Sequence, residues 1–184
     1  ARNTKDKNAV EENKFYDQIS PEITAIDNQF TKAINKSIFK KELLSKFGKH
    51  FFKLIDMEIK SFDPKLVDLM KQENEISNEY RSLLAGAEIN YKDKILNLAG
   101  LSPYMQDTNR DTRKEAYTLL DKFFEENEEK LDSIFDKLVK IRNKKSRILK
   151  LENFIPLGYL NMNRSDYGPK EVAEYRKQIV EHIV

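Results

Sequence analysis

Apolar residues recur at steps of three and four positions along most of this chain, which brings them onto one face of an α-helix. In the first such segment, Ser20-Pro21-Glu22 has the composition of a helix start, with Ser as N-cap and Pro at the first helical position. The apolar positions that follow are Ile23, Ile26, Phe30 and Ile34. We therefore predict an amphipathic helix that begins at Ser20.

A second amphipathic segment follows, with a glycine inside it. Its apolar positions are Phe39, Leu43, Leu44, Phe47, Phe51, Phe52, Ile55 and Ile59. Gly48 interrupts this pattern and favours a kink, because glycine is a common site of helix bending. Asp63-Pro64 then repeats the pairing of a cap with a proline and predicts the start of the next helix.

The helix after Asp63-Pro64 has a regular, heptad-like apolar seam. The seam consists of Leu66, Leu69, Glu73, Ile76, Tyr80, Leu83 and Ala87. Glu73 is its one acid, and two interpretations are open: a buried carboxylate that faces a cleft, or a side chain that reaches solvent or pairs with a basic residue. We prefer the second interpretation, because ion pairs commonly place acids at such positions.

The pattern changes after this helix. Ile89 and Tyr91, then Lys92-Asp93, then Ile95 predict a short β-hairpin near residues 88–96, although its turn lacks the favoured Asn-Gly or Asp-Gly. Further helices are predicted over 97–105, from an Asp107 cap through a break near Asn127 to about 151, and after Gly168-Pro169. The expected fold is therefore all-α, a multi-helix array with one short hairpin, in a single lobe over residues 1–184.

Composition supports this class and narrows the possible partners. The 184 residues are 35% charged and 39% hydrophobic, with only 5 Gly and 5 Pro, which favours long amphipathic helices over sheet. The net charge of +2 gives no reason to expect nucleic acid. The basic run from Lys140 to Lys150 follows the acidic group from Glu125 to Asp132, an order that suits the helix dipole. No apolar run is long enough to span a bilayer, so we expect no membrane partner either.

Residues with the spacing of a reactive site are scarce. The two histidines, His50 and His182, lie in different predicted helices, and neither belongs to an H-E-x-x-H pair of zinc ligands. The chain has no Cys, no G-x-S-x-G motif and no Gly-rich phosphate loop. We therefore predict no catalytic and no metal-ligating residue here, and the sequence leaves substrate-binding residues unassigned.

The tail carries a resemblance to a known family. Leu157-Gly158-Tyr159 is followed by Met162, then by Arg164-Ser165-Asp166-Tyr167 and an amphipathic helix. This spacing resembles oligoendopeptidase F, of the thimet-oligopeptidase-like zinc peptidases. We expect Asp166 to accept hydrogen bonds from backbone donors at the start of the last helix, with Arg164 as its ionic neighbour. Arg164, Asp166 and Tyr167 would then be structural.

The resemblance covers more than half of the chain. It continues through 84–89, 101–106 and 123–127, in the family's order. Two positions depart from the family pattern: Lys92-Asp93 replaces a tight Asp-Gly turn, and the long helix reaches Lys150-Leu151 without the Gly that often ends it. Both departures concern loop geometry.

The resemblance implies the amino-terminal helical lobe of a zinc-dependent oligoendopeptidase that hydrolyses short peptides in the cytoplasm. This lobe would form a wall of the substrate channel. Its partners would be short peptides and the carboxyl-terminal catalytic half of the same protein. Zinc and the H-E-x-x-H helix would belong to that half, so the present chain would hold no cofactor and would be inactive alone. In that case Ile179 and Ile183 would be poorly covered here.

Two alternatives remain open. Composition and periodicity alone favour a stand-alone helical protein-interaction module without enzymatic activity. The other alternative is a family member that has lost its catalytic half and acts as a binding protein. An H-E-x-x-H motif further along the reading frame would separate both from a peptidase.

Overall fold

A computed structural model describes residues 6–183, and most of them are helical. The helices are α1 Lys7–Asn35, α2 Lys40–Ser61, α3 Val67–Ala85, α4 Leu98–Met105, α5 Arg110–Glu126, α6 Glu128–Ile148, α7 Phe154–Asn161 and α8 Pro169–His182. A 3-10 turn, Pro64–Leu66, precedes α3. Strands β1 Ile89–Tyr91 and β2 Lys94–Leu96 pair antiparallel. The predicted all-α class with one short hairpin is confirmed.

α1 begins at Lys7 and continues through Pro21, so the predicted helix start at Ser20-Pro21 is wrong. Proline has no N–H, so inside a helix the carbonyl oxygen four residues earlier loses its donor. Here that oxygen belongs to Asp17, and the side-chain amide of Asn74 donates to it over 2.9 Å. A side chain from α3 thus supplies a hydrogen bond that the α1 backbone cannot make.

Local signals in and after α2 have the predicted effect. Gly48 has φ 83° and ψ 168°, which divides α2 at a kink in a conformation that residues with a side chain rarely adopt. The carboxylate of Asp63 accepts a hydrogen bond from the Lys65 backbone N–H at 2.9 Å. Asp63 therefore caps the turn that leads into α3, as predicted.

The hairpin pairs Ile89 with Leu96 and Tyr91 with Lys94. Its connection places Lys92 at φ 53°, in the left-handed region that Asn or Gly would occupy at lower cost. The ring of Tyr91 is buried and lies 4.5 Å, centroid to centroid, from that of Tyr104 in α4. This aromatic contact anchors the hairpin to the helix that follows it.

The cap of α5 differs from the prediction by two residues. Asn109, not Asp107, is the N-cap, and its side-chain oxygen accepts from the backbone N–H of Asp111 at 2.8 Å. Asp107 supports this turn by accepting from the Asn109 backbone N–H at 2.8 Å. The break at Asn127 is confirmed, since α5 ends before it and α6 begins after it.

The described residues group into two compact units. The first comprises residues 6–17 and 72–140, and the second comprises residues 18–71 and 141–183. In the first, α4 packs on α5, and the hairpin contacts both helices. In the second, α2 packs on α7. Their buried apolar residues are, respectively, Ala87, Ile89, Tyr91, Leu101, Ala116 and Ile134, and Phe52, Ile55, Met57, Phe62, Leu66, Ile141 and Leu157. A single lobe over 1–184 stays a prediction.

Candidate functional site

The two histidines occupy exposed positions, His50 in α2 and His182 at the end of α8. Within residues 6–183, no group of three or more His, Cys, Asp or Glu side chains is placed to hold a metal ion. Zinc in proteins takes three or four such ligands, so the described residues do not fit a zinc site. That the chain has no catalytic or metal-ligating residue stays a prediction.

The second unit contains a mixed polar and apolar pocket of about 500 Å³, which we call the asparagine pocket. Its main polar lining residues are Asn28, Glu58, Lys145, Asn161 and Asn163. Its apolar lining residues are Leu54, Phe62, Leu66, Met70 and Leu160. Pockets that bind small molecules commonly combine an apolar lining with a few placed polar groups.

One wall of the asparagine pocket is fixed by hydrogen bonds between α1 and α2. Asn28 is only 2% exposed, and its Nδ2 donates to the Glu58 backbone oxygen at 3.4 Å. The hydroxyl of buried Thr31 donates to Glu58 Oε1 at 2.8 Å, and the Ser61 hydroxyl donates to the Glu58 backbone oxygen at 3.0 Å. The Thr31 bond orients the Glu58 carboxylate, and the other two bonds hold the Glu58 backbone at the pocket wall.

Lys145 of α6 contributes a cation to the same pocket. It is 8% exposed, whereas its neighbour Lys144 is exposed. A buried ammonium requires interacting partners, and Lys145 has such an interaction in the structure. The basic run of α6 thus includes one buried residue, Lys145.

The pattern of apolar positions did not predict this pocket, because one wall of it is made by polar residues of α1. Thr24, Asn28, Thr31 and Asn35 recur at steps of four, three and four along α1. This spacing places small uncharged polar residues on one helical face, and two of them, Asn28 and Thr31, are buried. A polar stripe at helical spacing was the available signal.

The opposite face of α1 carries apolar side chains that are open to solvent. Ile23, Ile26 and Phe30 are 47%, 65% and 68% exposed, and we call them the α1 stripe. A surface helix ordinarily buries its apolar stripe and exposes its polar face. In α1 this arrangement is reversed, so the predicted face exists but has no cover within the described residues of this chain.

The tail is held together by contacts other than those predicted. The Asp166 carboxylate accepts from Lys53 Nζ at 3.2 Å and from the Ser165 hydroxyl at 3.1 Å. These bonds, that of Lys53 first, hold the pKa of Asp166 below its usual value. The guanidinium of Arg164 instead stacks on the Tyr167 ring, 5.0 Å from its centroid. The predicted ionic pairing of Arg164 with Asp166 is therefore wrong.

The start of α8 is capped by Glu171. Its Oε2 accepts from the Gly168 backbone N–H at 2.8 Å, which lowers the pKa of Glu171. The prediction that Asp166 accepts from backbone donors at this helix start is thus also wrong. Ile183, which follows the last residue of α8, is exposed, as predicted, while Ile179 in α8 is half-buried.

No helix among residues 6–183 is both long and apolar enough to cross a membrane.

Comparison with known proteins gives consistent matches. A family model described as the Peptidase M3 N-terminal domain matches residues 1–62. A protein assigned as an oligoendopeptidase F from Bacillus anthracis str. Ames is 38% identical, with a TM-score of 0.93. Another structure assigned as oligoendopeptidase F is 33% identical with a TM-score of 0.94, and PZ peptidase A, solved with an inhibitor, is 37% identical with a TM-score of 0.93.

Coverage by these matches is unequal. The three solved structures each match over 98% of the present chain, which covers only 33%, 32% and 32% of their respective lengths. The chain therefore spans about a third of the length of the structures that it matches. A search of curated proteins gave no match.

Proposed function

Because this chain belongs to the oligoendopeptidase F family of M3 peptidases, we propose that it is the amino-terminal helical lobe of a zinc-dependent oligoendopeptidase. In this role it forms a wall of the substrate channel for short peptides and contributes no catalytic group. Enclosure by such a wall would exclude folded proteins and admit short unstructured peptides. The absence of cysteine fits a reducing cytoplasm, the location that we propose.

One observation carries this proposal: solved relatives match nearly all of the chain, yet the match occupies about a third of each relative. We assign the catalytic machinery and the zinc ligands to the proposed carboxyl-terminal half, which corresponds to the two thirds of each relative that this chain does not match. The described residues offer no metal-ligand group, so no catalytic step is assigned to them.

The exposed α1 stripe supports the proposal that another part of the protein covers this face of α1. Exposed contiguous apolar side chains on a soluble protein commonly mark an interaction site. Ile26 and Phe30 are both more than half exposed on the same face of one helix. We propose that the carboxyl-terminal half covers this stripe.

A stand-alone helical protein-interaction module without enzymatic activity is the second candidate. The α1 stripe favours it equally, because a separate partner protein could cover the same side chains. The two candidates differ in whether the complete reading frame encodes a peptidase.

The test is to express the protein from its complete reading frame, and separately residues 1–184, and to assay both with quenched fluorescent peptides of increasing length. We expect chelator-sensitive cleavage of short peptides by the complete protein, restored by zinc, and none by residues 1–184. A complete protein that neither cleaves peptides nor binds zinc would favour the interaction module. Cleavage by residues 1–184 alone would show that the lobe itself is catalytic. One equivalent of zinc in residues 1–184 would contradict the assignment of the metal ligands to the rest of the protein.

A further inference from the structure

Residues 36–49, which we call the basic tip, form the connection between α1 and α2 and the start of α2 through its kink at Gly48. The charged side chains of the basic tip are five lysines and one glutamate, namely Lys36, Lys40, Lys41, Lys46, Lys49 and Glu42. All six are exposed. The whole chain has a net charge of only +2, so the basic tip concentrates positive charge that the rest of the chain balances.

The basic tip also exposes apolar side chains among these lysines. Ile38 and Phe39 are 88% and 60% exposed, and Phe47 is 51% exposed. Within residues 6–183, no other large apolar side chain is as exposed as that of Ile38. Removing apolar side chains from water is favourable, so a group of them on the surface marks a place that a partner covers.

We propose that the basic tip binds the surface of a lipid bilayer that contains anionic phospholipids. Segments that lie in a membrane interface combine lysines with Phe and Leu, because the charges stay among the head groups while the apolar side chains enter the boundary with the acyl chains. Each lysine close to an anionic bilayer strengthens binding about fivefold. The lysines therefore select the anionic surface, and Ile38 and Phe39 are the apolar anchor.

The mixture of residues in the basic tip favours a lipid surface over another macromolecule. A nucleic acid would use the lysines but would leave Ile38 in water. A protein would have to place an acidic group against each lysine that it buried, whereas at a bilayer a lysine keeps its ammonium in the hydrated head-group layer. Such binding needs no spanning helix, and the sequence-based expectation of no membrane partner considered only spanning segments. The inference does not rest on the proposed peptidase activity.

The experiment is co-sedimentation of the protein expressed from its complete reading frame with two kinds of vesicle. One is phosphatidylcholine alone, and in the other phosphatidylserine replaces about three tenths of the lipid. We expect binding to the anionic vesicles to be at least about tenfold stronger. Raising the ionic strength from about 0.1 M to about 1 M should remove this difference, because the screening length falls from about 10 Å to about 3 Å.

A pair of lysine variants locates the electrostatic contact. Lys41→Gln with Lys49→Gln should weaken binding to the anionic vesicles about 25-fold, which is about fivefold for each lysine. Lys40 is left in place, because its Nζ donates to Asn35 Oδ1 at 2.5 Å. As the matched control, Lys60→Gln with Lys65→Gln removes the same charge from exposed positions near the other end of α2, and it should change binding less than about twofold.

The apolar anchor is tested separately. Ile38→Gln should weaken binding to the anionic vesicles at least about threefold, because it removes an apolar side chain that the bilayer would take from water. Ile155→Gln, at a position 55% exposed in α7, is the control and should leave vesicle binding unchanged. Since Ile38 is already exposed, its replacement should not alter the melting temperature, which separates loss of binding from loss of folding.

Absence of binding to the anionic vesicles would overturn this inference, as would equal losses in the two lysine pairs. Loss of binding with the Lys41 and Lys49 pair but not with Ile38→Gln would show a general polyanion site and not contact with a bilayer. A dimeric protein that binds no vesicles and becomes monomeric with Ile38→Gln would assign the basic tip to an interface between copies of the chain. Peptide cleavage is not measured in these assays, so failure of the proposed peptidase activity would leave their outcome unchanged.

Discussion

At the scale of single residues, Pro21 makes the α1 backbone depend on Asn74. Replacing Asn74 by Leu should lower the free energy of unfolding by about 1–2 kcal/mol, because the Asp17 carbonyl would lose its donor. The same change should cost much less in a Pro21→Ala background, where residue 21 regains an N–H for that carbonyl. Chemical denaturation of the four proteins in this cycle measures the coupling.

The Pro21→Ala change also alters packing, since Pro21 is buried. The cycle subtracts this effect, because it is present with either residue at position 74. An Asn74→Leu cost that is equal in both backgrounds would show that the contact with Asp17 does not replace the missing helical hydrogen bond.

Glu171 gives a prediction about pH. Its folded-state pKa lies below the usual 4.5, because it accepts from the Gly168 N–H. A depressed carboxyl pKa contributes stability above the unfolded pKa, and this contribution is lost as pH falls through the folded value. Glu171→Gln should therefore be less stable than the parent at pH 7, with a difference that shrinks below about pH 4.5.

Thermal unfolding across pH 2–8 measures this difference. Glu174→Gln, on the same helix without a hydrogen bond to the Gly168 N–H, serves as the matched control and should show no comparable pH dependence. A Glu171→Gln difference that persists unchanged at pH 2 would mean that the carboxylate charge is not its source.

The residues that were predicted correctly act through their own neighbours in the chain. Gly48 bends the helix that contains it, and Asp63 caps a turn two residues away. Lys145 and the pairing of Asn74 with Asp17 could not be predicted, because burial and partner depend on segments far away in sequence. Asp166 falls in the same group, since its partner Lys53 lies on α2.

At the scale of elements, α6 ends in a left-handed turn built on a lysine. Lys150 has φ 59°, its N–H donates to the Arg147 carbonyl at 3.0 Å, and the Leu151 N–H donates to the Ser146 carbonyl at 2.9 Å. This is the Schellman pattern, in which Gly is the usual residue at the left-handed position. The helix thus ends in a turn that glycine usually makes, but with a residue for which the left-handed conformation costs more.

Lys150→Gly should therefore stabilise the protein by about 0.5–1 kcal/mol. The left-handed conformation costs a residue with a side chain roughly 1–2 kcal/mol, and the greater freedom of glycine in the unfolded chain offsets part of the gain. Lys150→Ala removes the same charge without relieving the backbone, so it should not stabilise. If Ala and Gly stabilise equally, the lysine charge and not the backbone conformation is responsible.

Helices were predicted correctly where the hydrophobic periodicity continues over several turns. The patterns over α2, α3, α5, α6 and α8 are sustained for several turns, and the hairpin is set by the change of period at Ile89. α7 was not predicted, because its 8 residues include Pro156 and Gly158 and its apolar positions are nearly continuous. In the second unit α7 packs on α2, so tertiary contact stabilises a helix that hydrophobic periodicity does not predict.

At the scale of the whole molecule, α1 shows which surfaces the described residues leave open. Asn28 and Thr31 are buried on one face, whereas Ile26 and Phe30 are exposed on the other. The position of an apolar face could be predicted from the sequence, but not the partner that covers it. Periodicity reports which residues share a face, and only the fold decides what that face contacts.

If the carboxyl-terminal half covers the α1 stripe, a charged residue in the stripe should lower the stability of the protein only when that half is present. Ile26→Lys should leave the stability of residues 1–184 within about 0.5 kcal/mol, because the side chain is already exposed. In the protein from the complete reading frame, the same change would bury an unpaired charge and should cost at least about 2 kcal/mol. Gln29→Lys, on an exposed flank of the same helix, is the control and should be tolerated in both proteins. Unfolding midpoints of the six proteins measure these effects. If Ile26→Lys has the same small effect on stability at both chain lengths, the α1 stripe is exposed in the complete protein, and only a separate partner protein could cover it.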